Sequence, residues 1–400
     1  MRYFNIFSYA CFFALLLILG VFSFLGNATM EGIGMQTYKY ANIINGSLCA
    51  VVCLSILSII FNISSLKNAP SCVYWIIAFT FYMCLINFFS YVSTMPLKET
   101  AKSVLTVMTF PACFLYAYIK SSDKDFSRVA IFFAIITICL ASFFFYTRFG
   151  DSLRREGQIH AYVVIASLTT ILLSKKKIIS LLFIMLAIAV TLLSAKRGGI
   201  LAVSLASFSY LIIEYIILEK KNKTFGILAF IIALIFVAFA GYKVYSKMSY
   251  LLNERFDEIG YGGGSGRLYI WQSVIDKYFE QSGFPMIFGS GFFSVQESIG
   301  IQAHNEFLEN LFAYGIVGLF LYIMFWFAMI KQTIVLYMQK EKNFSVFFSC
   351  MCVFALLSLV SIVIDMPHEL GFLFITLGIS INKSRETYIN YPSLHRPSFY

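Results

Sequence analysis

Twelve strongly apolar stretches of this 400-residue chain contain no Asp, Glu, Lys or Arg. They are 5–30, 40–66, 68–97, 103–119, 129–147, 157–174, 178–195, 198–213, 224–242, 310–330, 343–364 and 370–382. A helix crossing a bilayer needs about 20 mainly apolar residues. Most of the stretches meet or approach that length, and the last is the shortest. A transmembrane barrel would instead show short segments of alternating polarity. With 60% hydrophobic and 12% charged residues, the composition excludes a soluble globular domain. The expected fold is an all-α polytopic membrane protein of about twelve transmembrane helices, with residues 1–400 forming a single membrane domain. The first stretch follows Arg2 and is longer than the apolar core of a secretory leader, so it is expected to remain as the first span.

Twelve spans put both termini on one side. With that side taken as the cytoplasm, lysines divide 13 inside to 7 outside, as the positive-inside rule expects. Arginines divide 4 inside to 6 outside. The outside six are Arg148, Arg154, Arg155, Arg197, Arg255 and Arg267. Topology disfavours arginine there, and its planar fork matches phosphate oxygens in a way lysine does not. An anionic, phosphorylated ligand at the outer surface would account for them. Anchoring at lipid headgroups is the other reading for Arg148, Arg154 and Arg155. The net charge of +10 sits in short loops between spans, so it does not point to nucleic acid. The nine cysteines lie within apolar runs without paired ligand spacing, which suits packing rather than metal binding.

One loop is long. Residues 246–303 form a single outside segment between the ninth and tenth spans, and loops of this size are usually functional. It carries Gly262-Gly263-Gly264-Ser265-Gly266 and then Arg267. Leu268, Trp271, Ile275 and Phe279 follow at helical spacing, which predicts a helix lying on the membrane surface or capping the bundle. The glycine run suits a flexible linker or an anion-binding nest; it lacks the Lys-Ser/Thr ending of a P-loop. In the turn Ser194-Ala195-Lys196-Arg197-Gly198-Gly199, glycines after a basic pair let backbone amides approach an anion at a helix start. A tight turn whose arginine reaches to the headgroups is the alternative. No internal repeat of the kind found in transporters is evident.

The loop ends in Ala303-His304-Asn305-Glu306-Phe307-Leu308-Glu309, at the mouth of a span. Polar groups at such a boundary are expensive and usually functional. Histidine titrates near neutrality and suits removal of a proton from a hydroxyl. His160 follows the Arg154-Arg155 loop. His368 lies in Asp365-Met366-Pro367-His368-Glu369, also outside. A histidine at a helix start is otherwise a cap or a packing residue.

His304-Asn305, followed after nine residues by Gly315-Ile316-Val317-Gly318, resembles the signature of the O-antigen ligase and O-antigen polymerase superfamily. Residues 194–201 resemble that family's Ser-x-x-Arg-Gly-Gly turn. Ser265-Gly266-Arg267 with Trp271, then Gly289-Ser290-Gly291, resembles the segment before the signature. The resemblance implies a C-type glycosyltransferase-like membrane enzyme of the bacterial inner membrane. Its active site would face the periplasm, both termini the cytoplasm, and 246–303 would be the large periplasmic loop. Donor and acceptor would be glycans on undecaprenyl diphosphate held in membrane lipid, with no nucleotide sugar, metal or other cofactor and no nucleic acid. A chain-length regulator is a further candidate partner. Carried onto this chain, the resemblance makes Arg197 and Arg267 the diphosphate-holding residues and His304 the base or acceptor-orienting residue. Position and chemistry add Arg155 to the diphosphate site and Glu306 to the catalytic set. They also make Asn305 and His368 candidates for contacting the acceptor; the base is left open between His304 and His368. The Gly-Arg-x-x-x-Trp segment and the Phe-, Ile- and Tyr-rich composition favour an O-antigen polymerase of lipopolysaccharide synthesis. An O-antigen ligase, which transfers the glycan to lipid A–core, is the alternative. A lipid-linked oligosaccharide flippase or other transporter is a second one, and it would carry buried charges mid-span.

Overall fold

A computed structural model describes residues 2–25, 28–29, 37–38, 41–91, 97–147, 161–193, 196–218, 266–364 and 366–390, with scattered positions between 224 and 242. Eight helices come first: α1 Arg2–Leu25, α2 Ala41–Phe61, α3 Ser71–Tyr91, α4 Leu97–Lys120, α5 Lys124–Thr147, α6 Ala161–Leu172, α7 Lys177–Leu193 and α8 Arg197–Leu211. The last continues as a π-helical segment, Ile212–Leu218. Three shorter helices follow: α9 Arg267–Glu280, α10 Phe284–Phe288 and α11 Ser294–Ile299. The chain then forms α12 Glu306–Met338, α13 Phe344–Val360 and α14 Pro367–Asn390. A two-residue antiparallel strand pair, Ala28–Thr29 with Thr37–Tyr38, lies between α1 and α2.

Among the described residues, seven helices are long and apolar enough to cross a membrane, in α1 to α5, α8 and α12. Shorter apolar helices make up α6, α7, α13 and α14. These eleven coincide with eleven of the twelve charge-free stretches. In the other stretch, 224–242, the described positions are helical, and Phe230 packs its ring on Phe208 of α8 at 5.1 Å. Two boundaries move for a polar reason. The tenth stretch begins its helix at Glu306 instead of 310, because Asn305 caps it. The eighth runs past Glu214, because that carboxylate is paired inside the bundle with Lys175 at 2.5 Å and accepts from Ser345.

Helix α4 is the hub: it packs on α2, α3 and α14, while α14 also lies on α6 and α13 on α8. The core is aromatic. Phe110 meets Phe114, Phe325, Phe354 and Phe374, with ring centres 4.3 to 6.3 Å apart. Such tilted and edge-on pairs add directional attraction to dispersion, which matters where lipid weakens the hydrophobic drive.

Helix α12 is broken at Gly315, whose φ of 65° and ψ of −170° interrupt the hydrogen-bond ladder. The freed carbonyls find new donors. Gly291 N donates to Ala313 O at 2.8 Å, and the Tyr82 hydroxyl lies 3.1 Å from Tyr314 O. Gly289 (φ 95°) faces the break, and a Cβ at either glycine would strike the backbone of the other segment. The glycines singled out in the sequence thus weld α10 onto α12.

The helix directions give the bundle two distinct ends. The N-termini of α6, α8, α12 and α14 gather at one: Gly198 lies by Tyr162 and Val360, Gly20 by Val163 and His368, and Glu306 accepts from Val363 N. The other holds Lys175 with Glu214 and Ser345, and the Arg2–Asp125 ion pair at 2.6 Å.

Candidate functional site

The end where four helix N-termini meet is predisposed to anions, since each brings the positive pole of its dipole there. Three connections bring charged side chains to it.

The first is the α7–α8 turn. Lys196 is the N-cap of α8 with extended backbone, and Arg197 is the first helical residue. The Lys196 ammonium lies over the ring of Tyr162, 4.0 Å from its centre. Tyr162 is fully buried at the start of α6. The second is the start of α9, where Arg267 follows a left-handed Gly266 (φ 72°). Val274 and Tyr278 fix this helix against Val295, Ala303 and Phe312. The expected helix is present as α9, but the face that packs is Val274 and Tyr278; Leu268 and Phe279 of the expected apolar stripe stay exposed, as does Tyr269.

The third is the approach to α12. Ala303 is completely buried; its carbonyl accepts from the Trp271 indole at 3.0 Å, and its amide donates to Glu309 Oε2 at 3.0 Å. Asn305 Oδ1 caps α12, accepting from Phe307 N at 3.0 Å and Leu308 N at 3.2 Å. His304 is clamped between these two fixed residues in a left-handed conformation, φ 50°. A non-glycine residue there is strained, and strain of this kind persists only where neighbours enforce it.

Burial first, then the positive charges of Arg267 and Lys196, push His304 down from its ordinary range to about 4. Its ring is therefore neutral at neutral pH. Lys196 is pushed down to about 8, by burial first; the Glu369 carboxylate opposes that shift and Arg267 adds to it. Arg267, Lys196 and His304 thus share one electrostatic environment, with Glu369 as the counter-charge.

Of the residues singled out in the sequence, Arg267 and His304 come together here. Asn305 is the cap that sets the His304 backbone. Glu306 is buried, and its carboxylate accepts from Val363 N, tying the segment after α13 to α12. His368 stands in the first turn of α14, beside Glu369. Arg155 and His160 lie outside the described residues, as does the side chain of Arg197. Sequence reading left out Tyr162 and Glu369 and gave Lys196 no separate role. Lys196 had a signal, being half of the basic pair. Glu369 had a weaker one, a carboxylate opening an apolar helix, and Tyr162 had none.

Among the described residues no group of His, Cys, Asp and Glu gathers as a metal site would require. The arrangement is suited instead to holding a multiply charged anion beside a neutral imidazole. Residues 181–323 match the family model described as O-Antigen ligase. That segment contains the α7–α8 turn, the Arg267 helix and the His304 approach, and leaves out α6 and α14. No curated protein matches the chain.

Proposed function

From a chain that carries an O-antigen ligase family domain over residues 181–323, a membrane enzyme type that transfers lipid-linked glycan in surface polysaccharide synthesis, we propose that the reaction is polymerisation of O-antigen repeat units. The donor is the growing glycan on undecaprenyl diphosphate, and the acceptor is the next lipid-linked unit. In this reading twelve spans place both termini in the cytoplasm and residues 246–303 in the periplasm of an inner-membrane protein.

The observation that carries the proposal is the meeting of Arg267, Lys196 and His304 where four helix N-termini converge. Arg267 and Arg197 hold the donor diphosphate, with Arg155 assigned to the same site from sequence. As the bond from the anomeric carbon to the diphosphate oxygen breaks, its electron pair stays on the leaving group. Fixed cations and amides stabilise the charge that grows there. The acceptor hydroxyl attacks the opposite face, inverting the centre, and gives its proton to His304. A diphosphate beside His304 adds negative charge, which lifts an imidazole otherwise held down at about 4 by burial and by Arg267 and Lys196. Donor binding therefore makes His304 a better base. His368, near the same site, contacts the acceptor. Glu306 acts through position, by joining α12 to the segment after α13.

The polymerase assignment is tested by the lipopolysaccharide of a deletion strain. Core bearing a single repeat unit is the expected result. Bare core, with polymer left on the lipid carrier, would assign the ligase reaction, which the family description favours. A transporter draws less support, since the buried carboxylates Glu214, Glu306, Glu309 and Glu369 stand near helix ends. In the complemented strain, His304→Ala should insert normally and yield no polymer; normal polymer length and amount would remove His304 from the mechanism.

A further inference from the structure

In the run Gly266-Arg267, a tryptophan follows at the fourth position after the arginine, and the fold gives that spacing a use. Arg267 and Trp271 stand one turn apart on α9, about 5–6 Å between Cβ atoms at such a spacing. The Trp271 indole donates to the carbonyl of Ala303 at 3.0 Å. His304 is the next residue, about 3.8 Å farther on by Cα. A single side-chain hydrogen bond thus lies between the arginine of α9 and the histidine that leads into α12.

The other edge of the Ala303 peptide is held from α12. Ala303 N donates to Glu309 Oε2 at 3.0 Å, and Glu309 N donates to Asn305 O at 2.9 Å. Asn305 Oδ1 caps the same helix. Residues 303–309 therefore form a closed hydrogen-bonded unit that carries His304. Val274 and Tyr278 also press α9 against Ala303, but apolar contact is non-directional. It keeps α9 close and leaves it able to turn or slide. A hydrogen bond weakens steeply off its line, so the indole sets the angle. Ala303 is completely buried, which makes its carbonyl dependent on a protein donor.

We propose that Trp271 and Glu309 are positioning residues that fix the separation of Arg267 from His304. The inference rests on the function proposed above, in which Arg267 holds the leaving diphosphate and His304 takes the acceptor proton. In an inverting transfer those two groups serve opposite faces of one anomeric carbon, so their separation has to match the reacting atoms. A misplacement of about 1 Å can cost about a hundredfold in rate. Both residues act on the Ala303 peptide and through it on His304. Glu309 needs only an acceptor oxygen for this, not its charge.

The test uses the purified full chain in nanodiscs. The substrate is the lipid-linked repeat unit extracted from the deletion strain, and undecaprenyl diphosphate is the probe of binding. Trp271→Phe keeps a ring and removes the donor. Its kcat for polymer formation should fall about tenfold to a hundredfold, while KM and affinity for the probe stay unchanged. Glu309→Leu should behave alike. Glu309→Gln, whose amide oxygen still accepts from Ala303 N, should keep a rate near wild type. A wild-type kcat in Trp271→Phe would overturn the inference alone. So would a lower melting temperature with kcat and probe affinity reduced together, since that is the mark of a purely structural bond. A loss in Glu309→Gln as deep as in Glu309→Leu would overturn the part assigned to Glu309. A wild type that transfers glycan to neither the lipid-linked repeat unit nor lipid A–core would overturn the glycan-transfer reading, and the inference with it.

Discussion

His304 contributes a ring and a backbone kink, and the two can be separated. Its φ of 50° is a region that asparagine tolerates far better than alanine. His304→Asn should therefore melt close to wild type while producing no polymer. His304→Ala should add a stability loss of about 1 kcal/mol from the strained backbone. Thermal unfolding of the two purified variants, set beside their glycan ladders, checks this; equal melting of both would show that the conformation relaxes. The roles proposed for His304 and Arg267 were legible in the sequence, because a base and an arginine at the edge of a span need a reason to be there. The partner of Lys196 was not, because Tyr162 and Lys196 meet only when the starts of α6 and α8 converge. No local spacing encodes that meeting.

The charge-free stretches foretold the long helices well, since a bilayer imposes both length and apolarity on a span. What they concealed was the break in α12. A glycine inside an apolar run reads as a packing residue. Its real role needs Tyr82 from α3 and Gly291 from the loop to take up the freed carbonyls. At Gly315 an added Cβ would meet the Ile287 carbonyl oxygen, and the positive φ would be strained as well. Gly315→Ala should cost about 2–4 kcal/mol and unseat α10 from α12. Thermal unfolding together with protease sensitivity in 284–300 would register it; an unchanged melting curve would mean that the junction adapts.

Across the molecule, the candidate site and a buried ion-pair cluster fall at opposite ends. The Lys175–Glu214–Ser345 cluster binds the α6–α7 turn to the end of α8 and the start of α13, far from His304. Breaking a largely buried pair by removing one charge strands the other, so Glu214→Gln should destabilise by about 3 kcal/mol. The surviving folded fraction should keep its turnover per molecule, as measured by polymer formed per unit of inserted protein. A fall in turnover beyond the loss of protein would mean that the two ends communicate.

The break at Gly315 also fixes a depth. Helix α12 has 33 residues, whereas hydrocarbon about 30 Å thick is crossed by about 20. The part beyond the break, 316–338, suffices alone. The nine residues 306–314 then rise about 14 Å at 1.5 Å per residue, more than the thickness of one headgroup layer. On the proposed function, His304 would then stand clear of the oily phase, at the level where a carrier lipid's phosphates end and its sugars begin. A hydrophilic glycan could slide past at that height while the lipid tail stays in the membrane.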